Sequence, residues 1–471
     1  MKEARHNIGM VGLGVMGRNL LLNMAENGYA VAGYDKDEEK VRALDEESGN
    51  RQVFATVHLK EFITSLAAPR VVMMLVPAGD AVDSVIHDLL PYLDKDDTII
   101  DGGNSHFSDT ELRIDAMAEK GIRYLGIGIS GGASGARHGP SMMPGGDRQS
   151  YESVQEIFEA ASAHVESDPC VAYLGPRSAG HYVKMVHNGI EYGLMQLIAE
   201  TYDVMKRGMS MNDDEIHAAF KEWSQGELAS YLIEITADIF VKEDDRTGRR
   251  LIDVILDEAK QKGTGMWTSQ EGMDAAVPLP TIDTAVTMRH LSALDKVRTE
   301  ASRVFGEPDR HTGEPRDEAL SRLRDALYLS FVVTYSQGMD LLSHSSQTRH
   351  FNLNLETIAR IWRGGCIIRA KLLDDIRSAY HHNPDETSLL FAPHFSDVVT
   401  SREKSLRTVV RTAIDRRIPA PALSATLSYL DALRSGWLPA NLIQAQRDYF
   451  GSHTYERVDA RGTFHTRWEK E

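Results

Sequence analysis

The chain has 471 residues, more than one typical domain holds, so two or three domains around a large core are expected. Its 42% hydrophobic and 26% charged residues are those of a globular protein and speak against disorder. A net charge of -17 argues against nucleic acid or an acidic membrane as a partner, so an anionic ligand would need a local basic cluster. Two cysteines, Cys170 and Cys366, fit a reducing compartment without a disulfide framework. No signal peptide is read at the N-terminus. No apolar run approaches the ~20 residues of a membrane span, and the expectation is a soluble cytoplasmic protein.

Residues 8–13 form a short apolar segment leading into Gly12-Leu13-Gly14-Val15-Met16-Gly17, and a helical pattern follows over 18–27. That order is strand, tight glycine turn, helix. The first glycine permits the turn, the second admits a pyrophosphate to the backbone, and the third lets helix and strand pack closely. A second strand, 29–34, ends at Asp35, about 20 residues on, where an acid can bind a ribose hydroxyl. Further buried strands are read at 71–76, 98–101 and 124–129, with helices between them. Strands alternating with helices predict a parallel, doubly wound (Rossmann-type) α/β sheet ending near residue 178. Asp101-Gly102-Gly103-Asn104-Ser105 and Ser130-Gly131-Gly132 each follow a strand, at the edge where ligands bind in such sheets.

From Gly180 strand signals fade, and helical patterns over 191–207, 214–223, 227–240 and 319–342 predict an all-α second domain. Loops are expected at 242–249 and 307–314. The predicted division is 1–178, dinucleotide-binding; 179–436, all-helical; and 437–471, a tail with little periodicity that gains stability by docking, plausibly on a second subunit. Gln261-Lys262-Gly263-Thr264-Gly265 joins a cation, a hydroxyl and mobile amides, good partners for a phosphate. Arg289 is expected in a helix over 285–297, and Arg447 and His453 lie in the tail.

In Lys184-Met185-Val186-His187-Asn188-Gly189-Ile190-Glu191-Tyr192 the polar residues recur at i, i+3, i+4, i+7 and i+8, one face of a helix. On its own the stripe fits a solvated face as well as a site. Its apolar neighbours, Val183, Met185, Val186, Ile190, Leu194 and Met195, point to burial, and buried polar groups are paired or used.

These motifs, with Gly139-Pro140-Ser141-Met142-Met143-Pro144-Gly145-Gly146, Trp362-Arg363-Gly364-Gly365-Cys366 and the segment 438–451, resemble the decarboxylating 6-phosphogluconate dehydrogenases over nearly the whole chain. The resemblance implies oxidation of 6-phosphogluconate at carbon 3, loss of carbon dioxide, and release of ribulose 5-phosphate. It implies Lys184 as the general base and then acid, with its pKa lowered by burial, and Glu191 as the acid that protonates carbon 1. Asn104, Ser130, Gly131, Gly132, His187 and Asn188 match positions that hold the sugar acid. Tyr192, Lys262, Thr264 and Arg289 match phosphate contacts. Arg447 and His453 match contacts delivered by a partner's tail, hence a homodimer with a shared site. Gly12, Gly14, Val15, Met16, Gly17, Asp35, Lys36, Val76 and Asn104 fall at the cofactor positions, and no metal is implied.

Three places depart from the family pattern. Asp35-Lys36-Asp37 replaces the Asn-Arg-Thr usual in NADP-dependent members. A carboxylate there accepts bonds from both ribose hydroxyls and repels a 2′-phosphate, and Lys36 lacks the planar fork of Arg. NAD is therefore expected, with NADP as the alternative. Ala133-Ser134 replaces acids after the Ser-Gly-Gly turn. Met266 replaces a lysine after Lys-Gly-Thr-Gly, which would weaken phosphate binding. A non-decarboxylating β-hydroxyacid dehydrogenase and an inactive nucleotide-binding regulator remain as other readings. A nucleotide-sugar dehydrogenase would need a nucleophilic cysteine, whereas Cys366 has an apolar context more typical of core packing. The metabolic route, pentose phosphate or gluconate catabolism, stays open.

Overall fold

A computed structural model describes residues 5–306, 313 and 315–468. The N-terminal region alternates strand and helix: β1 (Ile8–Val11), α1 (Val15–Glu26), β2 (Val31–Tyr34), α2 (Glu38–Ser48), β3 (Val53–Thr56), α3 (Leu59–Ser65), β4 (Val71–Met74), α4 (Asp80–Leu89), β5 (Thr98–Asp101), α5 (Phe107–Ala118), β6 (Arg123–Ser130), α6 (Gly132–His138), β7 (Ser141–Gly146) and α7 (Arg148–Ala161). The sheet order is β3-β2-β1-β4-β5-β6-β7, the doubly wound arrangement expected.

Two strands of this sheet escaped the sequence reading. β3 is a short edge strand, only half-buried, and its apolar run is correspondingly weak. β7 pairs antiparallel with β6, so the sheet is not wholly parallel. The reason is length: α6 has seven residues, too few for the crossover of a dozen or more that a parallel return requires. Pro144 is tolerated because β7 is the last strand of the sheet.

The next helix, α8 (Ala179–Asp203), is the axis of the molecule. Its first turns lie directly on β6 and β7, and glycines make this possible. A Cβ on Gly128 would stand 2.2 Å from the Cβ of Lys184, and one on Gly126 would stand 2.8 Å from the His181 ring. A Cβ on Gly180 would meet the carbonyls of Met143 and Gly126 at 2.2 and 2.3 Å. Helix and sheet therefore touch backbone to backbone. Further along, Gly189 receives Thr268, while Gly193 and Gly338 let the 33-residue helix Arg316–Thr348 cross α8 closely.

The rest is helical, with helices at Asp213–Trp223, Tyr231–Val241, Thr264–Asp274, Pro280–Ser292, Asp295–Phe305, Leu355–Trp362, Leu372–His382, Pro393–Asp415 and Pro421–Leu433. The helix expected over 227–240 starts only at Tyr231, where the Ser230 hydroxyl caps the Ile233 amide. The one expected over 285–297 is two helices, because Leu294 leaves the helical region (φ -90°, ψ 47°) and Asp295 opens a new first turn. The loop expected at 307–314 lies, Gly313 apart, outside the described residues. Strand also returns in the tail, where helix Ala440–Gly451 is followed by a hairpin of Tyr455–Glu456 and Thr463–Phe464. Among the described residues no helix is long and apolar enough to cross a membrane.

Replacing Gly128 by Ala should lift α8 from the sheet. Overpacking of this kind costs about 1–3 kcal/mol, so the melting temperature should drop by several degrees and turnover with it. Gly436→Ala, in open space, serves as the control.

Candidate active site

Two clefts open on the glycine loop. Gly12 has φ +94°, and a Cβ there would lie 2.6 Å from the Leu75 carbonyl; one on Gly17 would lie 1.9 Å from the Gly12 carbonyl. At Gly14 nothing stands within 4 Å, and no side chain caps the first amides of α1. This is a cradle a phosphate would fill, at the positive end of a helix. Asp35 follows β2 and is held in place: its Oδ2 accepts the Leu13 amide at 2.8 Å and its Oδ1 the Asp37 amide at 3.0 Å. The adjoining cleft, about 240 Å³, is lined by Tyr34, Asp35, Lys36, Val76, Val85 and Asp88 among others. Lys36 bonds Asp88 at 2.9 Å, and Lys40 lies 3.6 Å from Asp35. These residues fit a dinucleotide.

The second cleft, about 680 Å³, lies between sheet and helical region and is lined by Met16, Val76, Asn104, His106, Lys262, Thr264 and Trp267 among others. Asn104 is presented by a rigid loop, because Asp101 accepts the Gly103 amide at 3.0 Å and the Ser105 hydroxyl at 2.6 Å.

Lys184, His187 and Asn188 are buried on α8. The Lys184 amine donates to Asn188 Oδ1, and His187 Nδ1 approaches the same oxygen at 3.2 Å. Asn188 Oδ1 can only accept, so the proton of the neutral imidazole sits on Nδ1. Nε2 then accepts from the Ser130 hydroxyl at 3.2 Å. Ser130 also takes the Ile367 amide at 3.4 Å, and Gly131 has room for no Cβ beside the Gly365 carbonyl at 2.5 Å. The Ser-Gly-Gly turn and the Trp362–Cys366 segment thus form one wall.

Burial pushes the Lys184 amine below its ordinary value, while the charge of Glu191 pulls it back up. Burial raises the Glu191 carboxyl, opposed by Lys184 and Arg289. His187 is driven well down, first by burial and then by the Lys184 charge. Its 4.0 Å approach to Glu191 is therefore not an ion pair. The two groups, seven residues apart, are displaced toward each other: burial lowers the amine and raises the carboxyl, while the charge of each opposes the other's shift.

At the far end of the stripe Arg289 lies over the Tyr192 ring at 3.7 Å. Gly265 leaves space for that ring, which a Cβ would meet at 2.4 Å. Thr264 begins a helix whose first turn carries no side-chain cap, with Lys262 exposed beside it. Met266 turns into the apolar cluster of Tyr192, Ala285 and Val286. Ala133 and Ser134 are exposed on α6. Arg447 and His453 are exposed on the tail and line neither cleft of their own chain.

Residues 7–175 match the family model described as the NAD binding domain of 6-phosphogluconate dehydrogenase, and residues 180–468 match its C-terminal domain. The chain belongs to the 6-phosphogluconate dehydrogenase family. It is 47% identical over 468 residues to the NADP(+)-dependent, decarboxylating 6-phosphogluconate dehydrogenase of Bacillus subtilis (strain 168), covering 99% of this chain and 100% of that one. It is also 47% identical to the decarboxylating enzyme of Escherichia coli (strain K12), covering 99% of each. A solved Plasmodium falciparum 6-phosphogluconate dehydrogenase, described in apo form and with NADP+ or 6-phosphogluconate, superposes with a TM-score of 0.95 at 44% identity, covering 98% of this chain and 100% of that one.

Within that family frame the fold adds residues the motifs did not single out. Trp267 meets the His106 ring at 4.9 Å across the second cleft, while Trp362, already part of a quoted motif, meets His187 at 5.6 Å. The spacing Gly126-Ile127-Gly128, glycine at alternate positions of a strand, was the available sign that a backbone approaches there. Cys366 is buried, donates to the Trp362 carbonyl at 3.1 Å, and is pushed up by burial to about 12, which removes it as a nucleophile.

Glu191→Gln removes the charge that holds the Lys184 pKa up, so the lysine should titrate at still lower pH. Carbon-13 NMR of labelled lysine follows this; an unmoved or higher midpoint contradicts the coupling.

Proposed function

We propose that this protein oxidises 6-phosphogluconate at carbon 3 and releases carbon dioxide and ribulose 5-phosphate. The observation that carries the reading is the Lys184–Glu191 face of α8, where a buried lysine and a half-buried carboxyl stand on one helix beside Ser130 and Asn188. A bound nicotinamide dinucleotide supplies the hydride acceptor. Neutral Lys184 takes the proton of the carbon 3 hydroxyl as the carbonyl forms. The ammonium so produced then polarises that carbonyl and gives the breaking carbon–carbon bond an electron sink. Glu191, its pKa raised by burial, delivers a proton to carbon 1 of the enediol. Ser130, His187 and Asn188 hold the sugar acid, with Asn104, Gly131 and Gly132 at its other edge. Tyr192, Arg289, Lys262 and Thr264 receive the phosphate.

The chain divides in this reading into a dinucleotide-binding domain over residues 1–178, a helical domain over 179–436 and the tail, 437–471. The tail completes a second subunit's site with Arg447 and His453. Support comes from its composition: Trp437, Leu442, Ile443 and Phe450 are exposed on one chain.

For the cofactor we favour NAD over NADP, although the Bacillus subtilis relative is named NADP(+)-dependent. The Asp35 carboxylate is fixed by two backbone amides at the edge of the first cleft, and Lys36, the nearest stand-in for an arginine, is engaged by Asp88. A 2′-phosphate would meet that carboxylate, with Lys36 engaged by Asp88 and Lys40 by Asp35 and Asp37.

Supplied with 6-phosphogluconate, the enzyme should release carbon dioxide and reduced cofactor in equal amounts, and Lys184→Met should lose roughly 10²–10⁴-fold in turnover while still binding cofactor. Reduction of cofactor without carbon dioxide would exclude decarboxylation. Initial rates should give a kcat/KM at least about tenfold higher with NAD than with NADP, and Asp35→Asn with Lys36→Arg should reverse the order. A higher kcat/KM for NADP in the unaltered enzyme overturns the NAD assignment.

A further inference from the structure

The tail has a fold of its own, tied at one side chain. Helix Ala440–Gly451 ends at Ser452 in the left-handed region (φ +51°), and the hairpin that follows turns back toward it. The fully shielded Asp448 receives four donors. Its Oδ1 accepts the Thr454 amide and His465 Nδ1, both at 2.9 Å. Its Oδ2 accepts the Thr466 amide at 3.0 Å and the Trp468 indole N–H at 2.8 Å. An ionised carboxylate is acceptor-only, so it suits a ring of four donors that no other side chain of this size could satisfy. Shielding alone would raise its pKa, but these four bonds outweigh that and hold the carboxyl well below the usual carboxylate range.

The two tail residues assigned to the shared site hang on this knot. Arg447 is its neighbour in sequence and donates to Gln444 Oε1 at 3.2 Å, while Gln444 Nε2 donates to the Thr454 carbonyl at 2.6 Å. His453 immediately precedes the Thr454 amide that Asp448 accepts. Its ring lies 5.9 Å from Phe450, in space that a Cβ on Gly451 would fill at 2.6 Å. We propose that Asp448 is the positioning residue of the tail, fixing Arg447 and His453 at the spacing with which they reach a second subunit's substrate. This rests on the shared-site reading above. It adds a residue that touches neither substrate nor cofactor and acts through two that do.

The test is Asp448→Asn in the full-length enzyme. Asn keeps the shape, but its amide nitrogen turns toward two N–H donors, so half of the knot is lost. KM for 6-phosphogluconate should rise by about tenfold or more, with kcat within about threefold. The Kd for NAD measured by calorimetry, and the far-UV circular dichroism, should not change. Because Asp448 acts through Arg447 and His453, adding Asp448→Asn to the double variant Arg447→Ala/His453→Ala should raise KM no further. An additional rise there, or a fall in kcat with KM unmoved, overturns the role. If Arg447→Ala/His453→Ala raises KM and Asp448→Asn does not, Asp448 is excluded while the shared site stands. If the double variant leaves KM unmoved, the shared-site reading itself falls, and the role of Asp448 falls with it.

Discussion

The contact on which the rest of this structure depends is that of α8 with β6 and β7, made backbone to backbone at Gly145 and Gly180 and with only His181 and Lys184 against Gly126 and Gly128. Gly126 and Gly128 on β6, Gly145 on β7 and Gly180 on the helix remove every Cβ that would hold the two apart. Ordinary helix-on-sheet packing leaves a layer of side chains between backbones. Here that layer is thinned on the sheet side, so His181 and Lys184 are pressed against the sheet that also carries the glycine loop. Precision at the site follows from contact between two rigid elements rather than from the reach of flexible loops.

The same closeness sets the electrostatics. A lysine against a sheet cannot keep its water, and its amine loses basicity for that reason before any neighbour acts. Glu191, two turns along α8, suffers the opposite displacement from the same cause. His187 is left neutral between them, tied to Ser130 and Asn188, and so orients without competing for the proton. One burial event thus displaces an amine and a carboxyl in opposite directions and fixes an imidazole between them on a single helix face.

Much of this was legible in the residues. The glycine loop, Asp35, the Asp101–Ser105 loop and the Lys184–Tyr192 stripe each combine a local pattern with a chemical requirement, and local pattern is what a sequence exposes. What it hid depends on partners distant in the chain. β7 was not read as a strand, and its direction is decided by the shortness of α6, not by its own residues. Met266 was read only as replacing a lysine, and its packing against Tyr192, Ala285 and Val286 depends on residues far from it in the chain. Asp448 gave no sign at all, because its four donors lie up to 20 residues away.

The sequence by itself determined which chemistry is available: which groups can take and give a proton, which loop can cradle a phosphate, and which residue can accept from a ribose. Those properties belong to residue types and short spacings, and they survive without knowledge of the fold. Only the tertiary structure decided that the polar stripe is buried rather than solvated, since burial is a property of what packs on top. It also decided that Lys184 and Glu191 share one desolvated environment, and that Arg447 and His453 stand apart from the clefts of their own chain. Those outcomes turn on backbone-to-backbone distance and on which elements meet, quantities that no single stretch of chain contains.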